Sequence, residues 1–425
     1  MVFWDDVERF PNKITGKWWM PSNKELQISG NLELSSNNRI ILKLNGHFAR
    51  ENYPSRSIPE IQILHGTTMH STQVTLFRSI LQSSTSSTRY TTSTYETEIV
   101  FFGHHFFSEK DMQFNGLFLK FNQFEKWLGI DPFIIKWNDP DTQEKLIVEY
   151  TNPKTLRFDL DNYIMHITHS LGYSSTRYKL NDFGLNSQID LDFKNWYDFN
   201  YVLNVAKHLN NFLSLVMDQN IYAISIIGNT KYNEGEIPAE YYNKGYLKNV
   251  LIYHPKLIKK NEGDIYYNDI IPFEIIRHDF AKYLNNWFNF VKEHEPLYEL
   301  YFSTLYEYDM YPVSEFLALT QGLDAYLPKH QSIKIKLERI LSAYSYISPS
   351  ITNNINMFIK YVSDSRNYYT HYIKKTENVI PISELIHYSK KLRSIIISIM
   401  LQEMGIDKEL IIQISSRFPP LEMEK

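Results

Sequence analysis

Along the first third of the chain, apolar and polar residues alternate in short runs that are separated by Asn- and Gly-containing turns. Alternation with a period of two places the apolar side chains on one face, so each run predicts a half-buried β-strand. The clearest runs are Ile28–Leu34, Arg39–Leu44, Gln73–Ile80, Glu96–Phe102 and Phe114–Phe121. Asn45-Gly46 and Asn115-Gly116 supply turn chemistry. These patterns predict an antiparallel β-sandwich or barrel-like domain.

Strand patterns continue to about residue 230, with one amphipathic helix among them. The runs are Lys145–Tyr150, Thr155–Leu160, Tyr163–Thr168, Gln188–Phe193 and Ile221–Ile227, and the helix fits Asp198–Val216. The Ser- and Thr-rich segment Ser83–Thr97 fits either a long loop or a solvent-facing edge strand, and we favour the loop. Asn229–Asn249 is rich in Asn, Gly, Glu and Tyr, which indicates exposed loop. We therefore predict a β-rich N-terminal domain over residues 1–230 and a linker over 231–268.

After Asp269 the apolar residues recur with a period near 3.6, which predicts consecutive amphipathic helices. Helices fit Pro272–Glu293, Pro296–Glu307, Pro312–Leu327, Ser332–Tyr346, Asn353–Lys375, Ile382–Met404 and Lys408–Ser416. Proline is tolerated in a first helical turn, and Gly405 is suited to end the helix at Met404. The predicted fold class is α+β, with a sandwich-like β domain followed by an all-α bundle over residues 269–425.

Composition narrows the class of protein. A chain of 425 residues predicts two or three domains. It contains no cysteine, which removes thiolate metal sites and disulfide stapling. No run approaches the ~20 apolar residues that cross a bilayer, and the acidic N-terminus does not resemble a signal peptide. We expect no membrane partner and a cytoplasmic location. A net charge of -4 argues against bulk electrostatic binding to nucleic acid.

The candidate chemistry lies in the predicted helix near the C-terminus, which contains Arg366, Asn367 and His371. On an ideal helix, Arg366 projects into an apolar stripe, where a guanidinium needs a carboxylate, an opening to solvent or a second chain. His371 lies about 140° away around the helix axis. Three arrangements would bring both side chains to one atom: an irregular helix, an Arg side chain that wraps around, or a site shared by two copies.

Arg, Asn and His can cleave RNA without a metal. Arg offers a two-pronged donor to phosphate, and His can take the proton of a ribose 2′-OH or protonate a leaving 5′-oxygen. Asn can hold the phosphate or fix the imidazole tautomer. Lys374 and Lys375 follow directly and could bind flanking phosphates, or form a solvated helix end. The spacing alone also fits a structural Arg paired with a buried acid, next to a surface His.

The longer string Arg366-Asn367-Tyr368-Tyr369-Thr370-His371 resembles the Arg-Asn-x-x-x-His signature of HEPN-domain ribonucleases. Flanking segments at residues 316–326 and 401–405 resemble the same family, and the likeness covers about 313–412. Segments at 16–21, 30–32, 74–77, 101–106 and 114–127 resemble the N-terminal domain of ApeA-like anti-phage proteins.

The resemblance implies a metal-independent endoribonuclease that acts in abortive infection, often on tRNA, without cofactor and as a homodimer. We expect a homodimer or a higher homo-oligomer. It further implies that Arg366 binds the scissile phosphate, His371 is the general acid or base, and Asn367 supports both. Asp324 stands where the family usually has Glu, and we expect it to be the counter-ion of Arg366 or part of the motif's polar network. The N-terminal domain would sense infection through a phage-derived trigger.

Other interpretations remain open at this stage. A non-catalytic HEPN module could serve dimerisation or partner contacts, with a β domain that binds a ligand or partner. His104-His105 with His65 and His70 could suggest a metal site, but no spaced partner completes a ligand set, and we expect no metal. Trp18-Trp19 and Trp127 could form a stacking platform, although core packing is the more frequent use of such residues.

Overall fold

The structure is a computed structural model that describes residues 12–34, 39–50, 53–138, 145–176, 179–258, 270–307, 309–328, 330–372, 377–417 and 420–421. The chain divides into two compact units. The first comprises residues 1–210 and 221–266, and the second comprises 211–220 and 267–425. The first is rich in strands and the second is helical, which confirms the predicted α+β class.

The strands of the first unit are β1 (Lys13–Met20), β2 (Asn23–Leu34), β3 (Ile40–Leu44), β4 (Ala49–Arg50), β5 (Tyr53–Ser57), β6 (Glu60–Thr68), β7 (Gln73–Ser86), β8 (Thr91–Phe102), β9 (Gln113–Phe121), β10 (Phe133–Trp137), β11 (Leu146–Tyr150), β12 (Leu156–Asp159), β13 (Tyr163–Thr176), β14 (Lys179–Asp198), β15 (Ala223–Lys231) and β16 (Leu247–Tyr253). The helices that accompany them are α1 (Phe124–Leu128), α2 (Phe199–Met217) and α3 (Ala239–Asn243).

The first six strands of the main sheet close on themselves. β8, β3, β2, β1, β6 and β7 are antiparallel neighbours in that order, and β7 pairs again with β8 along its length. The last residues of β8 also pair with β16, which begins an open extension in the order β16, β15, β9, β14, β13 and β12. Of the two predicted forms, the barrel is the one found, and a continuous sheet leads out of it.

The barrel interior is packed around Trp18, which is fully buried. Its register partner on β6 is Gly66, where an added Cβ would lie 2.3 Å from the Trp18 ring. Glycine is therefore required opposite the indole, because any side chain there would collide with it. Trp19 and Trp127 are buried as well, so these three indoles are core residues and do not form an exposed stacking platform.

The loop predicted for Ser83–Thr97 is wrong. β7 runs to Ser86 and β8 begins at Thr91, and the two strands pair through this segment as a hairpin. Residues 83–90 are exposed on both faces, and two of the three inward positions that follow are the buried polar residues Ser93 and Thr97, so no clear apolar alternation marks the segment. The β-branched Thr residues nevertheless favour extended backbone, and the main-chain pairs with the neighbouring strand satisfy it.

The linker predicted over residues 231–268 is also wrong where the structure describes it. The segment contains α3 and β16, and β16 lies between β15 and β8 in the main sheet. Val250–Tyr253 is buried on both faces, so it is a short continuous apolar run without the alternation of a half-buried strand. Residues 259–269 lie outside the described part of the chain.

The second unit contains α4 (Phe273–Ile276), α5 (Phe280–Glu293), α6 (Glu295–Tyr306), α7 (Pro312–Tyr326), α8 (Ile333–Ala343), α9 (Ser348–Ile351), α10 (Ile355–His371), α11 (Ile382–Met404) and α12 (Lys408–Ser415). α11 is a central helix that packs against α5, α7 and α12, while α10 packs against α7 and α8. Gly405 ends α11 in the left-handed conformation that the sequence predicted. Within the described residues, no helix has the length and apolar character needed to cross a bilayer.

Candidate active site

The helix that carries the motif is regular from end to end. The side chain of Asn354 accepts a hydrogen bond from the Met357 amide and caps the N-terminus of α10. The helix then continues through His371, and Tyr372 ends it in the left-handed region at φ 50°. Its buried face includes Phe358, Val362 and Tyr369. Irregular helix geometry therefore does not bring Arg366 and His371 together.

Arg366 is anchored on the side of α10 that faces α7. Its Nη2 lies 3.3 Å from Asp324 Oδ2, and its Nη1 donates to Asn367 Oδ1 at 3.3 Å. The side chain is 22% exposed, so the guanidinium is partly open to solvent, while its buried Nε has no hydrogen-bond partner. The structure thus brings Asp324, Arg366 and Asn367 together.

Lys336 is a member of this cluster that the sequence analysis missed. Its Nζ lies 2.7 Å from Asp324 Oδ1 and also donates to the Asp324 backbone carbonyl. The side chain is only 3% exposed. It lies in the apolar stripe of α8, beside Ile333 and Ile340, and a lysine in such a stripe was the available signal.

The charge of the cluster follows from this arrangement. Asp324 contributes one carboxylate, and its two oxygens meet two different cations, Lys336 and Arg366. One positive charge is left over. Because Lys336 is enclosed and Arg366 reaches the surface, the guanidinium is the group at which the excess positive charge of the cluster is accessible to solvent.

His371 is placed differently from Arg366. It is the last residue of α10 and is exposed to solvent. The 100° step of a regular helix keeps it about 140° from Arg366 around the axis. Lys374 and Lys375, the other predicted RNA contacts, lie outside the described residues.

The chain that follows the motif is fastened to α10 by buried hydrogen bonds. Ser365 Oγ accepts from the Ile380 amide at 2.8 Å, and Tyr369 Oη donates to the Ile380 carbonyl at 2.6 Å. Asn378 donates to Asp364 at 3.0 Å. Burial raises the pKa of Tyr369, so the phenol stays protonated as a donor. These bonds fix the end of the helix that presents His371.

Two of the histidines considered as metal ligands have structural roles in the first unit. His65 and His105 stack with ring centroids 4.4 Å apart, and each ring donates from Nε2 to a backbone carbonyl at 2.8 Å. Burial lowers the pKa of His105 to about 4, so this ring is neutral at pH 7. Among the described residues, no group of three or more His, Asp or Glu side chains is arranged to hold a metal ion.

A β-rich unit followed by a helical unit that carries Arg-Asn-x-x-x-His defines a protein with a C-terminal HEPN domain. Comparison with known families agrees, since the Apea-like HEPN family matches residues 318–410. The family ApeA N-terminal domain 1 matches residues 13–287, which is more than half of the chain. The chain therefore belongs to the ApeA-like family of anti-phage HEPN proteins. No curated protein and no solved structure matches it.

Proposed function

We propose that this protein is a metal-independent endoribonuclease of anti-phage defence. In the proposed reaction, the ribose 2′-oxygen attacks the neighbouring phosphorus, and the bond from phosphorus to the 5′-oxygen breaks. The 2′-OH gives its proton to a base, and the leaving 5′-oxygen receives one from an acid. The products are a 2′,3′-cyclic phosphate end and a 5′-OH end, and DNA cannot react this way because it lacks the 2′-OH.

The observation that carries the proposal is the surplus charge at Arg366. A guanidinium that Asp324 fully neutralised would be a structural ion pair with little to offer a phosphate. Here Lys336 takes one oxygen of that carboxylate, so the exposed edge of Arg366 keeps a net positive environment. Arg366 is thus suited to bind the scissile phosphate and to stabilise the charge that develops on it. Asn367 holds the guanidinium in place.

His371 is the proposed general acid or base. Its exposure gives RNA access to the ring, but its direction on α10 leaves it away from Arg366 of the same helix. A second copy of the chain, related by a two-fold axis near the motif, would set His371 of one copy opposite Arg366 of the other. We therefore propose a homodimer with shared sites.

The remaining parts of the proposal rest on the family. The substrate is RNA, with tRNA as the first candidate, and the protein acts in the cytoplasm. The N-terminal domain senses infection through a phage-derived trigger and controls the HEPN domain.

The decisive experiment uses the full-length protein, total RNA and excess chelator, with 2′,3′-cyclic phosphate ends as the readout. His371→Ala should lower the cleavage rate at least about 100-fold, because a general acid or base contributes that much. His387→Ala is the matched control, since His387 is an exposed histidine on the neighbouring helix α11. Equal activity of the two variants would contradict the assigned role of His371.

A companion assay covers a protein that rests in an inactive state until infection. Cells that express the wild type, His371→Ala or His387→Ala are challenged with phages, and plaque formation is counted. Protection by the wild type and by His387→Ala, but not by His371→Ala, is the expected result. Protection that survives His371→Ala would favour a non-catalytic HEPN module.

A further inference from the structure

A pocket of ≈ 520 Å³ lies in the first unit, among residues at or just beyond the ends of β8, β9, β14 and β15. β9 separates β14 from β15 in the sheet, and β16 separates β15 from β8. The volume is in the range of pockets that hold small ligands, roughly 300–1,000 Å³. None of its residues belongs to the HEPN motif.

Aromatic side chains form much of the pocket wall. Trp196 is 37% exposed and Tyr242 is 42% exposed, and Tyr232 joins them in the lining. Lys231 Nζ lies 4.9 Å from the centre of the Trp196 ring, a cation–π contact that orients the indole. Large aromatic groups that are partly open at the wall of a pocket offer flat surfaces, and they favour a ligand with a flat ring.

Next to the pocket lining lies a network of partly buried charges centred on Glu236. Its carboxylate accepts from Lys248 at 2.9 Å and from the backbone N–H of Asn233 at 3.2 Å. Asn233 also donates to the His105 carbonyl at 3.0 Å. Burial acts to raise the pKa of Glu236, but the hydrogen bond and charge of Lys248 outweigh it and lower that pKa. The network therefore holds the turn from Tyr232 to Glu236 rigidly.

His104 adds an unpartnered polar group to the pocket. The residue is only 2% exposed and lines the pocket, and its Nδ1 has no hydrogen-bond partner. Burial and the charge of Lys248 lower the pKa of His104 to about 4, so the ring is neutral at pH 7. Glu236 Oε2 lies 3.8 Å from Nδ1, which is too far for a hydrogen bond but close enough for the negative charge to act on the ring.

The lining discriminates among ligand classes. Asp111 and Glu234 oppose the single cation Lys231, so a polyphosphate would meet net negative charge. Gln113 supplies an amide group that can pair with the edge of a heterocycle, and the aromatic wall supplies a surface for its face. Flat faces and hydrogen-bonding edges occur together in nucleobases.

We propose that this pocket binds a nucleobase-containing small molecule, a nucleoside or a nucleoside monophosphate, and that Trp196 stacks on the base. The proposal goes beyond the ribonuclease activity and does not depend on it. It assigns the first unit a ligand of its own. Through this ligand the protein would respond to the cellular concentration of a nucleoside or nucleotide.

The test is calorimetric titration of the full-length protein with the four common ribonucleosides, their 5′-monophosphates and maltotriose. We expect one ligand of the first two sets to bind, and the comparison between those sets shows whether the phosphate contributes. Trp196→Ala should weaken binding about tenfold or more, the effect of losing one base-stacking aromatic. Trp137→Ala is the matched control, because Trp137 is 41% exposed on β10 and lies outside the pocket.

Two further variants keep the test decisive. Tyr242→Ala should also weaken binding, and it replaces Trp196→Ala if the latter unfolds at a lower temperature than the wild type. Arg366→Ala should leave binding unchanged, which separates this pocket from the HEPN motif. The proposal is overturned if no nucleoside or monophosphate binds at millimolar concentration, or if maltotriose alone binds. It is equally overturned if Trp196→Ala and Trp137→Ala behave alike, or if only Arg366→Ala abolishes binding.

Discussion

Removing Lys336 tests whether this buried lysine sets the charge of the candidate site. In Lys336→Met the side chain keeps its length and apolar contacts, but Asp324 loses its 2.7 Å partner. Asp324 still pairs with Arg366 at 3.3 Å, so the loss is smaller than the roughly 3–5 kcal/mol of a broken buried pair. We expect the free energy of unfolding to fall by about 2 kcal/mol. We also expect cleavage to slow, because the one carboxylate then neutralises Arg366.

The matched control is Lys334→Met, on the same helix but exposed. It should change the free energy of unfolding by less than about 0.5 kcal/mol. Both variants are measured by urea unfolding followed through the helical circular dichroism signal, and by the RNA cleavage assay. If Lys336→Met and Lys334→Met give the same stability and the same cleavage rate, Lys336 does not hold Asp324 and the charge argument fails.

A double-mutant cycle separates the ion pair from simple packing. Asp324→Asn alone leaves Lys336 enclosed without a carboxylate and should cost about 3–5 kcal/mol. Adding Lys336→Met removes that unpaired charge, so the double variant should be at least as stable as Asp324→Asn alone. Additive losses in the cycle would mean that the two side chains do not interact.

Three further predictions concern the motif and the histidine stack. If each site takes one residue from each copy, mixing inactive Arg366→Ala and His371→Ala proteins should restore about a quarter of wild-type cleavage. Half of the dimers then contain both variants, and each of these has one intact site out of two. Mixtures that stay inactive would contradict a shared site. Burial lowers the pKa of His105 to about 4, below the value near 6.5 of the unfolded chain. The contribution of the neutral ring to stability is therefore complete above pH 6.5 and is lost as the pH falls towards 4. The melting temperature should drop over that range, and it should drop less in His105→Gln. Ser365→Ala leaves the buried Ile380 amide without its acceptor and should cost about 1–3 kcal/mol in urea unfolding, whereas a loss near zero would show that the amide finds another partner.

Much of the architecture could be predicted because each element is half-buried or periodic. Pro312 and Gly405 mark the ends of α7 and α11 through backbone chemistry that a sequence displays directly. The secondary-structure prediction was wrong for two segments, for opposite reasons. The tip of the Ser- and Thr-rich hairpin has neither face buried and its inward positions further along include the polar residues Ser93 and Thr97, while Val250–Tyr253 has both faces buried. An alternation of apolar and polar residues detects neither case.

Only the part of the site that lies on one helix, α10, and the need for a carboxylate beside it could be predicted from the sequence. Arg366, Asn367 and His371 are close in sequence, and the need for a carboxylate at Arg366 followed from its position in an apolar stripe. Lys336 depends on a contact between α8 and the end of α7, so no local pattern reveals its partner. The pocket beside Trp196 likewise collects residues that are far apart along the chain, and only the strand order brings them together.

The geometry of α10 narrows the ways in which Arg366 and His371 can act on one phosphate. An irregular helix is excluded, because α10 runs regularly through His371. A side chain that wraps around the helix towards His371 would have to give up its contacts with the Asp324 carboxylate, which holds the guanidinium on the side of α10 that faces α7. The arrangement that keeps these contacts pairs the Arg366 of one copy with the exposed His371 of another. A site shared between two copies therefore requires the smallest change from the geometry of a single chain. The mixing experiment tests directly whether the site is shared.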